Sequence, residues 1–161
     1  MRHIIEKANE IREKYGIDDL ELLASNLGAE VVEIPLGKII KEVYIKDEGV
    51  IVIDPSLHPY KKRHLIAHGL AHHLFHRNAR VNYFLDERDD RFNYWKQRRQ
   101  EKEAEVFAAY LLIPEDKLSE KLKEEWVQES PDPIPELAEE FQVSENFMRK
   151  RLKFRFLEKT K

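Results

Sequence analysis

A histidine-rich run decides the fold of this chain: His64-Leu65-Ile66-Ala67-His68-Gly69-Leu70-Ala71-His72-His73-Leu74-Phe75-His76. Placed on a helix, the run is apolar around most of its circumference, which is typical of a helix buried in the core. His68 and His72 lie one turn apart on one face of that helix, where two imidazoles can hold a single metal ion. The alternative interpretation is a set of hydrogen-bonded core histidines, because a buried imidazole needs a partner of some kind.

Gly69 directly follows the first histidine of this pair. Metallopeptidases with the same spacing carry a glutamate there, and that glutamate deprotonates the metal-bound water. The run therefore indicates a metal site but leaves catalysis open. Since no carboxylate occurs between Lys61 and Arg80, a replacement base would have to come from the connection that follows. The acids available there are Asp86, Glu87, Asp89 and Asp90.

A third metal ligand is expected from the helix predicted over about 96–113. Its apolar stripe consists of Ala104, Phe107, Ala108, Leu111 and Leu112. At about 100° per residue, Glu101 falls about 50° from the centre of this stripe, whereas Glu103 and Glu105 lie farther round the helix. Glu101 is therefore expected to point inward, unless it is an ordinary first-turn acid favoured by the helix dipole. Glu105, one turn on, is expected to orient a ligand histidine from behind.

The remaining pattern predicts an α+β domain. Short β-branched runs at 30–34, 39–45 and 50–53 predict a small antiparallel meander. Helices are predicted before it and after it, at 3–15, 18–27, about 59–77, 134–142 and 145–157. We expect residues 1–130 to form one domain and residues 131–161 to form a helical C-terminal tail packed on it.

Composition sets further bounds. The 161 residues carry a formal net charge of -3, so the whole chain makes no case for binding nucleic acid. Cysteine is absent, so any metal must use histidines and carboxylates. No apolar run approaches the length of a membrane span, and the start lacks the hydrophobic block of a signal peptide. A cytoplasmic location without membrane contact is therefore expected.

The chain resembles the ImmA/IrrE metallopeptidases. The resemblance lies in the run from His64 to His76 and in the stretch from Glu101 to Pro114, which is similar to the family's ExxAxxFAxxLLxP helix. It implies a reduced thermolysin-like zincin core and makes His68, His72 and Glu101 the ligands of a zinc ion. Members of this family are bacterial or phage-borne, and several cleave helix-turn-helix repressors. The chain departs from the family at Gly69.

The resemblance implies a zinc-metallopeptidase-like protein that acts on or binds a regulatory protein such as a helix-turn-helix repressor. Catalysis is expected to be lost or impaired at Gly69. The alternatives are a non-catalytic protein-binding module and a DNA-binding regulator. Residues 137–152 have the outline of a helix-turn-helix, with Ser144 as N-cap, and seven basic residues stand against two acids in 143–161. Phe147 and Met148 in the second helix are more typical of packing, so nucleic acid is the less expected partner.

Overall fold

The computed structural model describes residues 1–76, 81–85 and 95–158, with side chains described except at 81–85, 95–98 and 156–158. The helices in this part of the chain are α1 Arg2–Tyr15, α2 Leu20–Asn26, α3 Pro59–Phe75, α4 Trp95–Leu112, α5 Glu115–Lys121, α6 Glu125–Glu129, α7 Ile134–Glu140 and α8 Glu145–Glu158. The strands are β1 Glu30–Glu33, β2 Ile40–Ile45, β3 Val50–Ile53 and β4 Val81–Leu85. The α+β prediction is confirmed. Across these described ranges, no helix is long and apolar enough to cross a membrane.

The sheet is mixed, with strand order β1-β3-β2-β4. β2 runs antiparallel to β3 and β4, but β1 pairs with β3 in parallel, with Val31 opposite Ile51. The prediction of an antiparallel meander is therefore wrong in its pairing. The β2–β3 hairpin turns tightly through Lys46 and Gly49, and it inserts β3 between β1 and β2. β4 lies between the helices predicted at about 59–77 and 96–113, in a stretch for which the sequence predicted a connection without a strand.

Helix α3 lies between the sheet and α4, and it packs against both. Every residue from His64 to His72 is buried, as expected for a helix that is apolar nearly all round. His58 caps its N-terminus by accepting a hydrogen bond from the Tyr60 N–H, and Pro59 occupies the first turn, where no partner for its nitrogen is needed. The histidines of this helix are thus fixed in the middle of the molecule.

Helices α7 and α8 close the described chain. Ser144 Oγ accepts a hydrogen bond from the Phe147 N–H at 3.2 Å, which is the N-cap that the sequence predicted. Phe147 and Met148 are buried, and the Phe147 ring centroid lies 4.0 Å from that of His64 on α3. α8 therefore packs Phe147 and Met148 inward. The boundary between residues 130 and 131 stays a prediction.

Candidate metal centre

The structure brings together the three residues predicted as metal ligands. His68 and His72 are fully buried on α3. Nε2 of His68 lies 3.0 Å from Oε2 of Glu101, and Nε2 of His72 lies 3.3 Å from Oε1 of the same carboxylate. One ligand atom from each residue can be chosen so that all three lie within 4.8 Å of one another. Two turns of α3 and the first part of α4 thus present three donor atoms to one point.

This arrangement fits a metal ion. Ligand bonds of about 2.0–2.2 Å in a tetrahedral site place neighbouring donor atoms about 3.3–3.5 Å apart. The two nitrogen–oxygen distances, each to a different oxygen of Glu101, are 3.0 and 3.3 Å and thus equal to or slightly shorter than that separation. Nε2 of His72 is buried, and no group in the described part of the chain gives it a hydrogen bond of good geometry. Two imidazoles and one carboxylate suit a divalent transition metal.

The electrostatics of the site also favour a cation. Burial opposes charge on Glu101, but the adjoining rings of His68 and His72 outweigh burial and lower the pKa of Glu101 to about 2. Burial disfavours a charged His68 as well, yet the carboxylates of Glu42 and Glu101 raise the pKa of His68 well above its ordinary value. The surrounding carboxylates thus favour positive charge at this point, and a metal ion would supply that charge in place of a proton.

Glu42 is a site residue that the sequence analysis missed. It lies on β2, is 1% exposed, and its Oε2 is 2.9 Å from Nδ1 of His68. Strand alternation does not single it out, because each face of β2 carries one charged residue, Glu42 on one face and Lys41 on the other. The structure buries Glu42 and Tyr44.

A second chain of hydrogen bonds reaches the other ligand histidine. Nδ1 of His72 lies 2.6 Å from Nδ1 of His76, and Nε2 of His76 lies 3.1 Å from Oε2 of Glu103. Arg99 donates to the other oxygen of Glu103 at 2.9 Å. Burial lowers the pKa of His76, which favours a neutral ring there. Both ligand rings are therefore held at Nδ1, and both leave Nε2 directed at Glu101.

Glu105, expected to orient a ligand histidine, makes its shortest contact with a different histidine. Its Oε1 lies 2.6 Å from Nε2 of His64, a histidine outside the ligand set, and 4.0 Å from Nε2 of His68. Oε2 of Glu105 accepts a hydrogen bond from Lys150 at 3.3 Å. It is Glu42, not Glu105, that lies behind a ligand histidine.

The space beside Gly69 is filled. A Cβ atom built on this residue would lie 2.8 Å from Cγ2 of Ile51 and 2.9 Å from Oε1 of Glu42. Both distances are shorter than van der Waals contact, so any side chain at position 69 forces its neighbours to move. Asp86, Glu87, Asp89 and Asp90, named above as alternative bases, lie outside the described residues.

The fold and the three converging donors define a metallopeptidase-like domain. The sequence profile of the IrrE N-terminal-like domain, from peptidase family M78, matches residues 24–153. The chain belongs to this family. A search of curated proteins found no match.

Among solved structures, the chain is similar to one described as a Mycobacterium tuberculosis transcriptional regulator. The two share 18% sequence identity with a TM-score of 0.63. The likeness covers 94% of this chain and 46% of that one, so this chain spans less than half the length of the regulator. At this identity the likeness shows a shared fold.

Proposed function

We propose that this domain binds one zinc ion through His68, His72 and Glu101, and that it acts on or holds a regulatory protein such as a helix-turn-helix repressor. Peptidase catalysis is lost or strongly impaired in this proposal, because Gly69 stands where the motif's general base belongs. The observation that carries the proposal is the convergence of three donor atoms on one point.

Zinc suits this donor set, because it accepts imidazole nitrogen and carboxylate oxygen in a tetrahedral site. When bound, the ion supplies a Lewis acid that polarises a carbonyl and lowers the pKa of bound water. The side chains of the domain would hold the ion and orient its ligands. Glu101 supplies one negative charge, while Glu42 and His76 hold the rings of His68 and His72 at Nδ1.

Loss of the general base costs about 10²–10⁴ in rate. The described carboxylates near the site do not replace it. Glu42 lies on the Nδ1 side of His68, away from the nitrogen that faces Glu101. Although burial opposes it, the charges of His64, His68 and Lys150 hold the pKa of Glu105 well below its usual range, which makes Glu105 a weak base.

A regulatory role is supported by family and by fold. The chain belongs to a peptidase family, and its fold recurs in a protein described as a transcriptional regulator. A domain that keeps the ligands and lacks the base is suited to holding a protein segment without cutting it. DNA binding through α8 is the weaker alternative, because Phe147 and Met148 are buried and cannot enter a groove.

Metal content tests the first part of the proposal. The chain is produced without a histidine tag, purified without chelators, and analysed by plasma mass spectrometry. We expect about one zinc per chain, lost in the variant His72→Ala. The matched control is His73→Ala, because the ring of His73 contacts Tyr44 Oη and the Leu27 carbonyl rather than Glu101. Absence of zinc from the unmodified chain would contradict the proposal.

Cleavage and binding test the second part. The zinc-loaded chain is incubated with a peptide mixture and with purified helix-turn-helix repressors, and the products are read by mass spectrometry. We expect no cleavage beyond that of His72→Ala, together with measurable binding of a repressor by calorimetry. Zinc-dependent cleavage at rates typical of peptidases would refute the loss of catalysis.

A further inference from the structure

Glu42 occupies an unusual place for a carboxylate. It lies on β2, between β3 and β4, with a side chain that is 1% exposed. One of its oxygens, Oε2, contacts Nδ1 of His68 at 2.9 Å. The other oxygen, Oε1, is buried and meets no hydrogen-bond donor among the side chains and backbone groups that the structure describes. A carboxylate that is buried with an unpaired oxygen is costly to a fold, so its position calls for a reason.

The contact with His68 is one reason for the buried position of Glu42. A carboxylate that accepts a hydrogen bond from Nδ1–H fixes the imidazole tautomer and leaves the lone pair on Nε2. Nε2 of His68 is the atom that faces Glu101 at 3.0 Å. Because Nδ1 and Nε2 lie on different sides of the ring, Glu42 can orient His68 but cannot itself reach the point where the three donors meet.

The close packing around Gly69 is the second reason for the buried position of Glu42. A Cβ atom at position 69 would lie 2.9 Å from the unpaired Oε1 of Glu42. Any side chain there would push this carboxylate away from His68. The other neighbour, Ile51, is fully buried on β3 and closes the space from the sheet side.

We propose that Glu42 is a positioning residue for the metal ligand His68, and that Gly69 is required because Glu42 takes the space that a side chain at position 69 needs. The inference rests on the proposed metal site and concerns residues of this chain that the family motif does not include. It treats Gly69 and Glu42 as one unit, in which a carboxylate from the sheet takes the room that a side chain at position 69 would need.

Zinc affinity of Glu42 variants tests the positioning role, measured by competition with a chromophoric chelator. We expect Glu42→Ala to bind zinc about 10–100-fold more weakly than the unmodified chain. Glu42→Gln keeps an acceptor for the Nδ1–H and should recover part of that loss. The control is Tyr44→Phe, a change on the same strand as Glu42. It removes a hydroxyl that contacts His73 of α3. It should leave zinc affinity unchanged.

Nuclear magnetic resonance supplies a readout that a merely structural role would not move. In the zinc-loaded chain, the Nδ1–H proton of His68 should resonate far downfield because it is donated to a carboxylate. We expect this resonance to move upfield in Glu42→Gln and to stay in place in Tyr44→Phe.

A double-mutant cycle tests the link between the two positions. Gly69→Ala should weaken zinc binding in the unmodified chain, because its Cβ displaces Glu42. In the Glu42→Ala background the same change should cost less zinc affinity, since the contact with His68 has already been lost and only the clash with Ile51 remains. Additive effects would overturn the link between Gly69 and Glu42.

The outcomes separate this inference from the proposed function. Zinc bound by the unmodified chain and lost in His72→Ala, with affinity unchanged in both Glu42 variants, would overturn the positioning role and leave the metal site intact. A chain that takes up no zinc would overturn both.

Discussion

Gly69→Ala should destabilise this protein, although glycine-to-alanine changes in helices ordinarily stabilise. Gly69 lies within α3, where an alanine would gain about 0.8–1.0 kcal/mol in helix propensity. The added Cβ, however, would lie 2.8 Å from Cγ2 and 3.0 Å from Cγ1 of Ile51. Those atoms sit next to the backbone of a fully buried strand residue and cannot rotate into solvent.

The two effects can be weighed. Inserting a methyl group into a packed core costs about 1–3 kcal/mol. Subtracting the gain in propensity leaves a net loss of about 1 kcal/mol in the free energy of unfolding. For a domain of this size, such a loss lowers the melting temperature by about 2–4 °C.

Ile51→Ala isolates the clash. This change removes both contacted Cγ atoms and leaves a cavity, at a cost of about 2–5 kcal/mol. In that background the Cβ at position 69 still meets the end of the Glu42 side chain, at 2.9 Å. That side chain can shift, so Gly69→Ala should stabilise by up to about 1 kcal/mol. The coupling energy between the two positions is then up to about 2 kcal/mol. Urea unfolding of the four proteins in the presence of a chelator measures it without any contribution from metal.

The reasoning fails if Gly69→Ala raises the urea midpoint of the chain that keeps Ile51. That result would mean that α3 and β3 can separate at no cost, and that Gly69 is not needed for their close approach. A coupling energy near zero would have the same meaning.

Three further predictions concern other parts of the molecule. His76→Ala removes the partner of His72 Nδ1 and should weaken zinc binding about tenfold, measured by chelator competition. Arg151→Leu leaves the Ile113 carbonyl without its 2.9 Å donor and should cost about 2–3 kcal/mol in urea unfolding; an unchanged midpoint would contradict this. Hydrogen bonds from the Ser56 side chain and from backbone N–H groups lower the pKa of Asp54 from 3.8 to about 2. Its stabilising effect is therefore complete above pH 4 and lost toward pH 2, so the midpoint gap to Asp54→Asn should shrink over that interval.

The helices and the ligand face of the site could be predicted because their information is local. A helix repeats every 3.6 residues, so the spacing of His68 and His72 and the position of Glu101 beside an apolar stripe can be read from neighbouring residues. The structure places all three residues where that periodicity directs them. The N-cap at Ser144 was predictable for the same reason, since it depends on residues within one turn.

Strand pairing could not be predicted in this way. Whether β1 joins β3 in parallel depends on contacts between residues about twenty positions apart, and alternation within each strand does not contain that information. β4 was missed because its five residues lie in a charged connection and form a strand by pairing with β2. Helix propensity and periodicity say nothing about such distant partners.

Glu42 illustrates the limit for the site itself. Its strand has two faces, and each carries one charged residue, Glu42 on one and Lys41 on the other, so a hydrophobic argument does not decide which face is buried. The face with Glu42 is buried because α3 places His68 against it, and the Nδ1 of that histidine gives the carboxylate a donor. Burial of a charged group at this position thus depends on a partner that only the tertiary fold supplies. The absence of a side chain at Gly69 has the same origin, because the helix and the sheet approach closely there. A sequence read by periodicity therefore detects the donor atoms that converge at the candidate metal site, but it cannot detect the residues that hold those atoms in place from a neighbouring strand.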